Sequence, residues 1–167
     1  MNLVREISEK KNLLLRKQNI YSLLLISLIF GLDRFSKIKI LNNFSDNTYF
    51  VSNYINLDLI WNTGIGFGLL SSDSNVIYNV ITIIIFLVIL ILFYLAAVSR
   101  KLDNIIFSII IGGALGNLYD RLFYSAVPDF IDLHYENLHW FTFNLADIFI
   151  TLGIITFIAK DFFVKSK

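Results

Sequence analysis

Cysteine is absent from these 167 residues and proline occurs once, at Pro128, so the chain has neither a disulfide framework nor a thiolate metal site. It also lacks an H-E-x-x-H helix and a G-x-S-x-G turn, which removes the usual zinc-peptidase and serine-nucleophile motifs. Charged residues make up only 16% of the chain, and a formal net charge of +1 offers no bulk attraction for nucleic acid. Lysine and arginine are missing altogether from 42–75 and from 125–142. No internal repeat and no low-complexity linker breaks the sequence.

What is present is apolar. Hydrophobic residues reach 56%, more than one soluble core of this size needs, which places the chain among membrane proteins as one compact unit over 1–167. Val76 to Val98 is an uncharged run, and about 20 such residues at about 1.5 Å each cross a hydrocarbon layer of about 30 Å. Runs beginning at Ile20 and Ile105 span only if each helix continues through charge, through Asp33 and Lys37 in one case and Asp120 and Arg121 in the other. A fourth run, Phe141 to Ala159, spans only with Asp147 inside it. The expectation is an all-α membrane protein: a bundle of four transmembrane helices, about 19–41, 76–98, 104–124 and 143–163, with a small extracytoplasmic β-rich loop region. The first run lacks a small-x-small cleavage site and reads as an anchor, not as a removable signal peptide.

Basic residues set the orientation. Arg5, Lys10, Lys11, Arg16 and Lys17 precede the first helix, Arg100 and Lys101 join the second to the third, and Lys160, Lys165 and Lys167 close the chain. Both termini are therefore expected in the cytoplasm, with Lys160 to Lys167 as a short amphipathic tail. The loops 42–75 and 125–142, which hold Asp46, Asp58, Asp73, Asp129, Asp132 and Glu136, face outward. Alternation around Tyr49, Phe50, Val51, Tyr54, Ile55 and Leu57 predicts a few strands lying on the membrane in the first of them.

With that topology, Asp120 lies about 24 Å along an outward-running helix from Asn104, Asp33 lies late in another, and Asp147 early in an inward-running one. Three carboxylates arrive at one outer level. An ionisable group at mid-bilayer costs at least about 2.5 kcal/mol, so such groups line a wet or protein-filled site. Asp33 and Lys37, four apart, suit an ion pair as well as a substrate-facing role. Asp120 beside Arg121, and three from Asn117, fits a packing network between helices. Gly112 and Gly116 have the G-x-x-x-G spacing of close helix contacts, and Gly113, Asn117 and Arg121 continue as a polar strip. Asn144 shares a face with Asp147, the best catalytic candidate by position; Asp120, Asp129 and Asp132 all stand as possible partners. Two carboxylates in one confined site cannot both ionise easily, so one keeps a proton while the other acts as base toward water. His134 and His139, among Tyr135, Trp140 and Phe141, read as part of an interfacial aromatic belt and not as metal ligands.

Two rival classes fit less well. A proton-coupled transporter needs a relay continuing toward the cytoplasm, and the inner halves of the helices carry no acidic residue deep in the apolar core. A purely structural helix-packing subunit leaves the outer carboxylates unexplained.

Five ordered blocks resemble those of the lipoprotein signal peptidase (signal peptidase II) family: Asp33-Arg-Phe-Ser-Lys37, Asn62-Thr-Gly-Ile-Gly-Phe-Gly68, Gly112 to Arg121, Val127-Pro-Asp-Phe-Ile-Asp132 and Phe143-Asn-Leu-Ala-Asp147. The chain departs from the family's common pattern at Ile65 and Gly66, where alanines are usual, and at Pro128, where valine is. The resemblance implies a catalytic pair of Asp129 and Asp147. It gives Asp33, Lys37, Asn62, Gly64, Asn117, Arg121 and Asn144 the task of positioning substrate or holding that pair, with Asp120 as a structural supporter. It further implies an aspartic endopeptidase of the bacterial inner membrane, acting alone and without metal or cofactor. Its substrates would be diacylglyceryl-modified prolipoproteins held in the lipid, cut just before the modified cysteine at the outer face.

Overall fold

The computed structural model describes residues 16–44, 48–64, 75–136 and 138–165. Arg5, Lys10 and Lys11, the loop positions Asp46 and Asp73, the residues 65–68 and the last two positions lie outside the described residues. The chain runs α1 (Lys17–Asn43), β1 (Tyr49–Ser52), β2 (Ile55–Asn62), α2 (Asn75–Val98), α3 (Lys101–Tyr124), β3 (Val127–Tyr135), β4 (Leu138–Phe143) and α4 (Leu145–Lys165). The protein is thus mostly helical with a small antiparallel sheet. Among the described residues two helices, Val76–Val98 and Lys101–Tyr124, are long and apolar enough to cross a membrane by length and composition.

The helices are apolar outside and polar inside, which is the pattern expected of a bundle whose solvent is lipid. On α1, Leu23, Leu24 and Leu28 are exposed, whereas Asn19, Ser22, Asp33 and Lys37 are buried. On α2, Ile83, Leu87 and Ile91 face outward. Helix α3 is the centre: it packs against each of the other three. Small residues make that possible. A Cβ added at Gly113 would stand 2.6 Å from the Ala146 carbonyl oxygen at the start of α4, and one at Gly116 would strike the Asp33 carboxylate of α1. The predicted small-residue surface therefore exists, and it seats charged and polar groups as well as helix backbone.

The other end of the bundle is tied by neutral side chains. Asn104 donates to Ala96 O at 2.8 Å and to Asn19 Oδ1 at 3.1 Å, Gln18 donates to Ser99 O at 3.1 Å, and Ser22 bonds Ser108. The bonds to Ala96 O and Ser99 O satisfy carbonyls at the C-terminal end of α2 that lack helical partners.

The sheet has the order β1-β2-β3-β4, all antiparallel. Strands β2 and β3 are adjacent although the α2–α3 helical hairpin separates them in sequence, with Asn62 opposite Val127 and Ile60 opposite Asp129. The strands expected in 42–75 are present as β1 and β2. The segment 125–142, read as an outer loop, is instead mostly strand: Ser125 ends α3 at φ 56, and β3 and β4 follow as a hairpin. It hid from the sequence because Val127, Pro128, Asp129 and Phe130 are all buried, so polar and apolar residues do not alternate there. One of the two histidines differs from the belt reading, while His139 is exposed as that reading expects. His134 is buried, its ring stacks on that of His139, and His139 Nδ1 bonds Asp132 Oδ2 at 2.7 Å.

Candidate active site

The sheet and the bundle meet where α4 begins. Asn144 caps that helix: its Oδ1 accepts the Asp147 N–H at 3.1 Å, and its own main-chain N–H donates to Asp147 Oδ2 at 3.1 Å. This reciprocal pair has the logic of a capping box, in which side chains satisfy the first N–H groups of a helix. Asp147 is therefore fixed by the geometry of helix initiation. From α1, Asp33 Oδ1 accepts the Ala146 N–H at 3.0 Å, supplying a second acceptor to the same helix end.

Asp129 comes from β3, three residues into the strand. The Asn144 side chain reaches it as well, donating through Nδ2 to Asp129 Oδ1 at 2.6 Å. One asparagine thus touches both carboxylates. Asn62, across the sheet on β2, donates to Asp129 Oδ2 at 2.8 Å, while its own Oδ1 accepts the Gly64 N–H at 2.8 Å. Asn117 of α3 donates to Asp147 Oδ1 at 2.9 Å. All four oxygens of the two carboxylates accept an N–H. Burial and the charge of neighbouring Asp147 push the Asp129 carboxyl up to about 6, against the opposing effect of its asparagine donors.

Behind this pair sits a buried ionic network. Lys37, fully enclosed, donates to Asn117 Oδ1 at 2.8 Å and to Asp120 Oδ2 at 2.6 Å, and its ammonium lies 2.8 Å from Asp33 Oδ2. Arg34 pairs with the other oxygen of Asp120 and lies over the Tyr119 ring, 4.5 Å from its centroid. Two cations balance two carboxylates, which is what makes so much buried charge tolerable. The adjacent Arg121 takes no part in it. Successive residues on a helix point about 100° apart, and Arg121 donates instead to Gly64 O and lies 5.6 Å from the Tyr78 ring centroid. Among the described residues its buried Nε and Nη1 have no acceptor.

All ten residues singled out from the sequence are accordingly placed in one contiguous region: Asp129, Asp147, Asn144, Asn62, Gly64, Asn117, Lys37, Asp33, Asp120 and Arg121. Asp132, one of the three partners that position left open for Asp147, is turned away toward His139. Arg34 and Tyr78 were not anticipated as members. Arg34 had a legible signal, since an arginine inside an apolar run beside Asp33 needs a counter-charge; Tyr78 had none. A groove of about 260 Å³ opens against Asp147, walled by Phe141, Phe143, Ile148, Thr151 and Leu152.

Paired buried carboxylates held by amide donors, at the junction of an apolar bundle and a sheet, are the arrangement that water-activating chemistry of the aspartic kind requires. The comparisons with known proteins agree in class. The family described as Signal peptidase (SPase) II matches residues 25–163. The chain is 45% identical over 154 residues to the lipoprotein signal peptidase of Pelagibacter ubique (strain HTCC1062), covering 90% of this chain and 93% of that one. It is 39% identical over 157 residues to that of Anaplasma phagocytophilum (strain HZ), covering 90% and 97%. A bacterial membrane enzyme solved at 2.3 Å superposes with a TM-score of 0.76 at 25% identity, covering 87% of this chain and 90% of the other. A second, solved at 1.9 Å, gives 0.63 at 26% identity, covering 84% and 91%. The chain belongs to the signal peptidase II family.

Proposed function

We infer that the protein is an aspartic endopeptidase that removes signal peptides from lipoprotein precursors, with Asp129 and Asp147 as its catalytic pair. The observation that carries this reading is the single Asn144 side chain and backbone joining both buried carboxylates. Such a pair activates water: one carboxylate takes a proton as the water oxygen attacks the scissile carbonyl, and the other, protonated, donates toward the carbonyl oxygen. This chemistry calls for no metal and no cofactor.

The surrounding residues divide the remaining work. Asn62, Asn117 and Asn144 hold the pair; Asp33, Lys37 and Asp120 brace Asn117 and the start of α4. Gly64 orients Asn62, and Arg121, whose buried Nε and Nη1 have no acceptor among the described residues, is placed to bond a substrate carbonyl. The apolar groove beside Asp147 fits an acyl chain or aliphatic side chain of the precursor. The substrate class is the diacylglyceryl-modified prolipoprotein, cut before the lipid-bearing cysteine. Two acyl chains keep such a precursor in one leaflet, so the scissile bond meets the site with little searching.

The same reading makes 1–167 one integral peptidase domain. All four helices cross the inner membrane of a bacterium, both termini lie in the cytoplasm, and the sheet rests at the outer face. The enzyme works as a monomer in contact with lipid. α1 and α4 can span because their charges turn inward to the network and the pair. The test is cleavage of a diacylglyceryl-modified prolipoprotein in liposomes by wild type, Asp129→Asn and Asp147→Asn, with each variant's fold checked by thermal melting. Loss of cleavage in both folded variants supports the pair; retained activity in either overturns it.

A further inference from the structure

We propose that Lys37 decides, through Asn117, which aspartate of the pair is charged: Asp147 is the ionised base and Asp129 carries the proton. This rests on the aspartic reading above and deepens it, since two equivalent carboxylates do not by themselves say where the proton sits.

The argument begins with hydrogens. An ammonium has three N–H donors and no acceptor, and buried Lys37 donates to Asp120 Oδ2 and Asn117 Oδ1 while lying 2.8 Å from Asp33 Oδ2 as an ion pair. The oxygen of Asn117 is thereby committed. Its NH2 end can only face the other way, onto Asp147 Oδ1. Rotating the amide by half a turn would set NH2 against the ammonium and a carbonyl oxygen against the carboxylate, two repulsive contacts made together. A charge on α1 thus fixes a donor on α3, which in turn favours the anionic form of a carboxylate on α4.

Asp147 has further support of the same sign. Its second oxygen takes the Asn144 main-chain N–H, and it stands in the first turn of α4, where the helix dipole places roughly half a positive charge. Asp129 lies on a strand, where no comparable dipole exists, and its two donors are neutral amides. Burial and the Asp147 charge push its carboxyl up to about 6. The charged groups facing this region are Asp33, Arg34 and Lys37 on α1 and Asp120 and Arg121 on α3; β2 contributes only the neutral Asn62. Asp33 and Asp120 are balanced by Lys37 and Arg34, leaving no other anion to compete with Asp147.

The assignment gives a balanced reaction. Asp147 takes a proton from water while its oxygen bonds to the scissile carbonyl carbon, and the Asp129 proton passes to the carbonyl oxygen, giving a gem-diol. As the C–N bond breaks, Asp147 returns its proton to the leaving nitrogen and Asp129 recovers one from a gem-diol hydroxyl. A carboxylic acid and an amine leave, and both side chains regain their starting states. Lys37 touches neither reacting atom nor carboxylate of the pair; it is a positioning residue.

The experiment is carboxyl-carbon NMR of the full chain in lipid nanodiscs, with 13C-labelled aspartate assigned through Asp129→Asn and Asp147→Asn. The expected result is a protonated Asp129 that titrates at about 6 while Asp147 stays ionised. A protonated Asp147 facing a charged Asp129 would overturn the proposal. Lys37→Met tests the relay directly but leaves an unbalanced buried carboxylate and can fail to fold. Asn117→Ala avoids this, leaving the ionic network intact. It should lower kcat about 100-fold with KM little changed, and its Asp147 signal should begin to titrate with that of Asp129. Loss of activity with unaltered carboxyl signals would reduce Lys37 and Asn117 to scaffolding. Full cleavage by Asp129→Asn or Asp147→Asn would instead sink the aspartic reading itself.

Discussion

Asn144 and Asp147 grip one another twice, backbone to side chain in each direction, so the start of helix α4 and the placement of a carboxylate are one structural event. Asn144 also reaches Asp129. Its substitution therefore has two separable effects. Asn144→Ala removes the cap and should cost about 1 kcal/mol of stability, together with a loss of cleavage of about 100-fold or more. Asn144→Asp keeps an acceptor for the Asp147 N–H but replaces the donor to Asp129 by a third carboxylate. Its helix should persist while cleavage is lost, as thermal melts and prolipoprotein assays would reveal side by side.

The elevated Asp129 carboxyl sets a pH limit on catalysis. If Asp129 must hold a proton in the free enzyme, kcat/KM declines as pH rises through about 6, by about tenfold per unit. The observed midpoint belongs to the coupled pair. Asn62→Ala deletes an N–H that favours the charged form, so the proton is retained to higher pH and the alkaline limb should move upward. A limb that moves downward in this variant contradicts the assignment.

Stability should follow the same group with the opposite advantage. Asp129 has a folded value above the ordinary 3.8, so between about pH 4 and 6 the folded chain binds more protons than the unfolded one, and stability falls as pH rises through that window. Asp129→Asn abolishes this ionisation. At pH 7 the inactive variant should be the more stable protein, by up to about 3 kcal/mol, and the difference should vanish near pH 4. Melting temperatures in detergent across that range give the comparison.

Close packing around α3 predicts a third kind of defect. Gly113→Ala drives a methyl into the Ala146 carbonyl, a backbone atom that cannot rotate away. The expected cost is about 1–3 kcal/mol, with cleavage reduced in parallel because the displaced segment begins the turn that carries Asp147. Normal cleavage combined with lowered stability would show that α4 tilts without disturbing its cap.

Much of this arrangement was legible in the residues, and the rest failed for physical reasons. Lys37 four positions after Asp33 announced an ion pair, and the pair exists. The packing network expected at Asp120 exists too, between α1 and α3, with Lys37 and Arg34 as its cations, while the helical turn sends neighbouring Arg121 to Gly64. Strand β3 was missed because both its faces are covered where it begins. Its single proline sits second in the strand, opposite Trp61. The choice of Asp129 over Asp132 was not legible from position at all; it came from the family resemblance, and the two side chains part company only once β3 is folded. His134 was assigned to the interface because nothing local records that a carboxylate two residues earlier shares its face of the strand.

The β3–β4 hairpin joins the two aspartates through one short stretch of chain, with Ile131 opposite Phe143 near its base. Asp129 and Asp147 therefore stand at the two feet of a single fork, one foot in the sheet and the other in the bundle. The spacing that chemistry depends on is thus a measure of how sheet and bundle are docked, and any rocking of one against the other would be felt first at the pair.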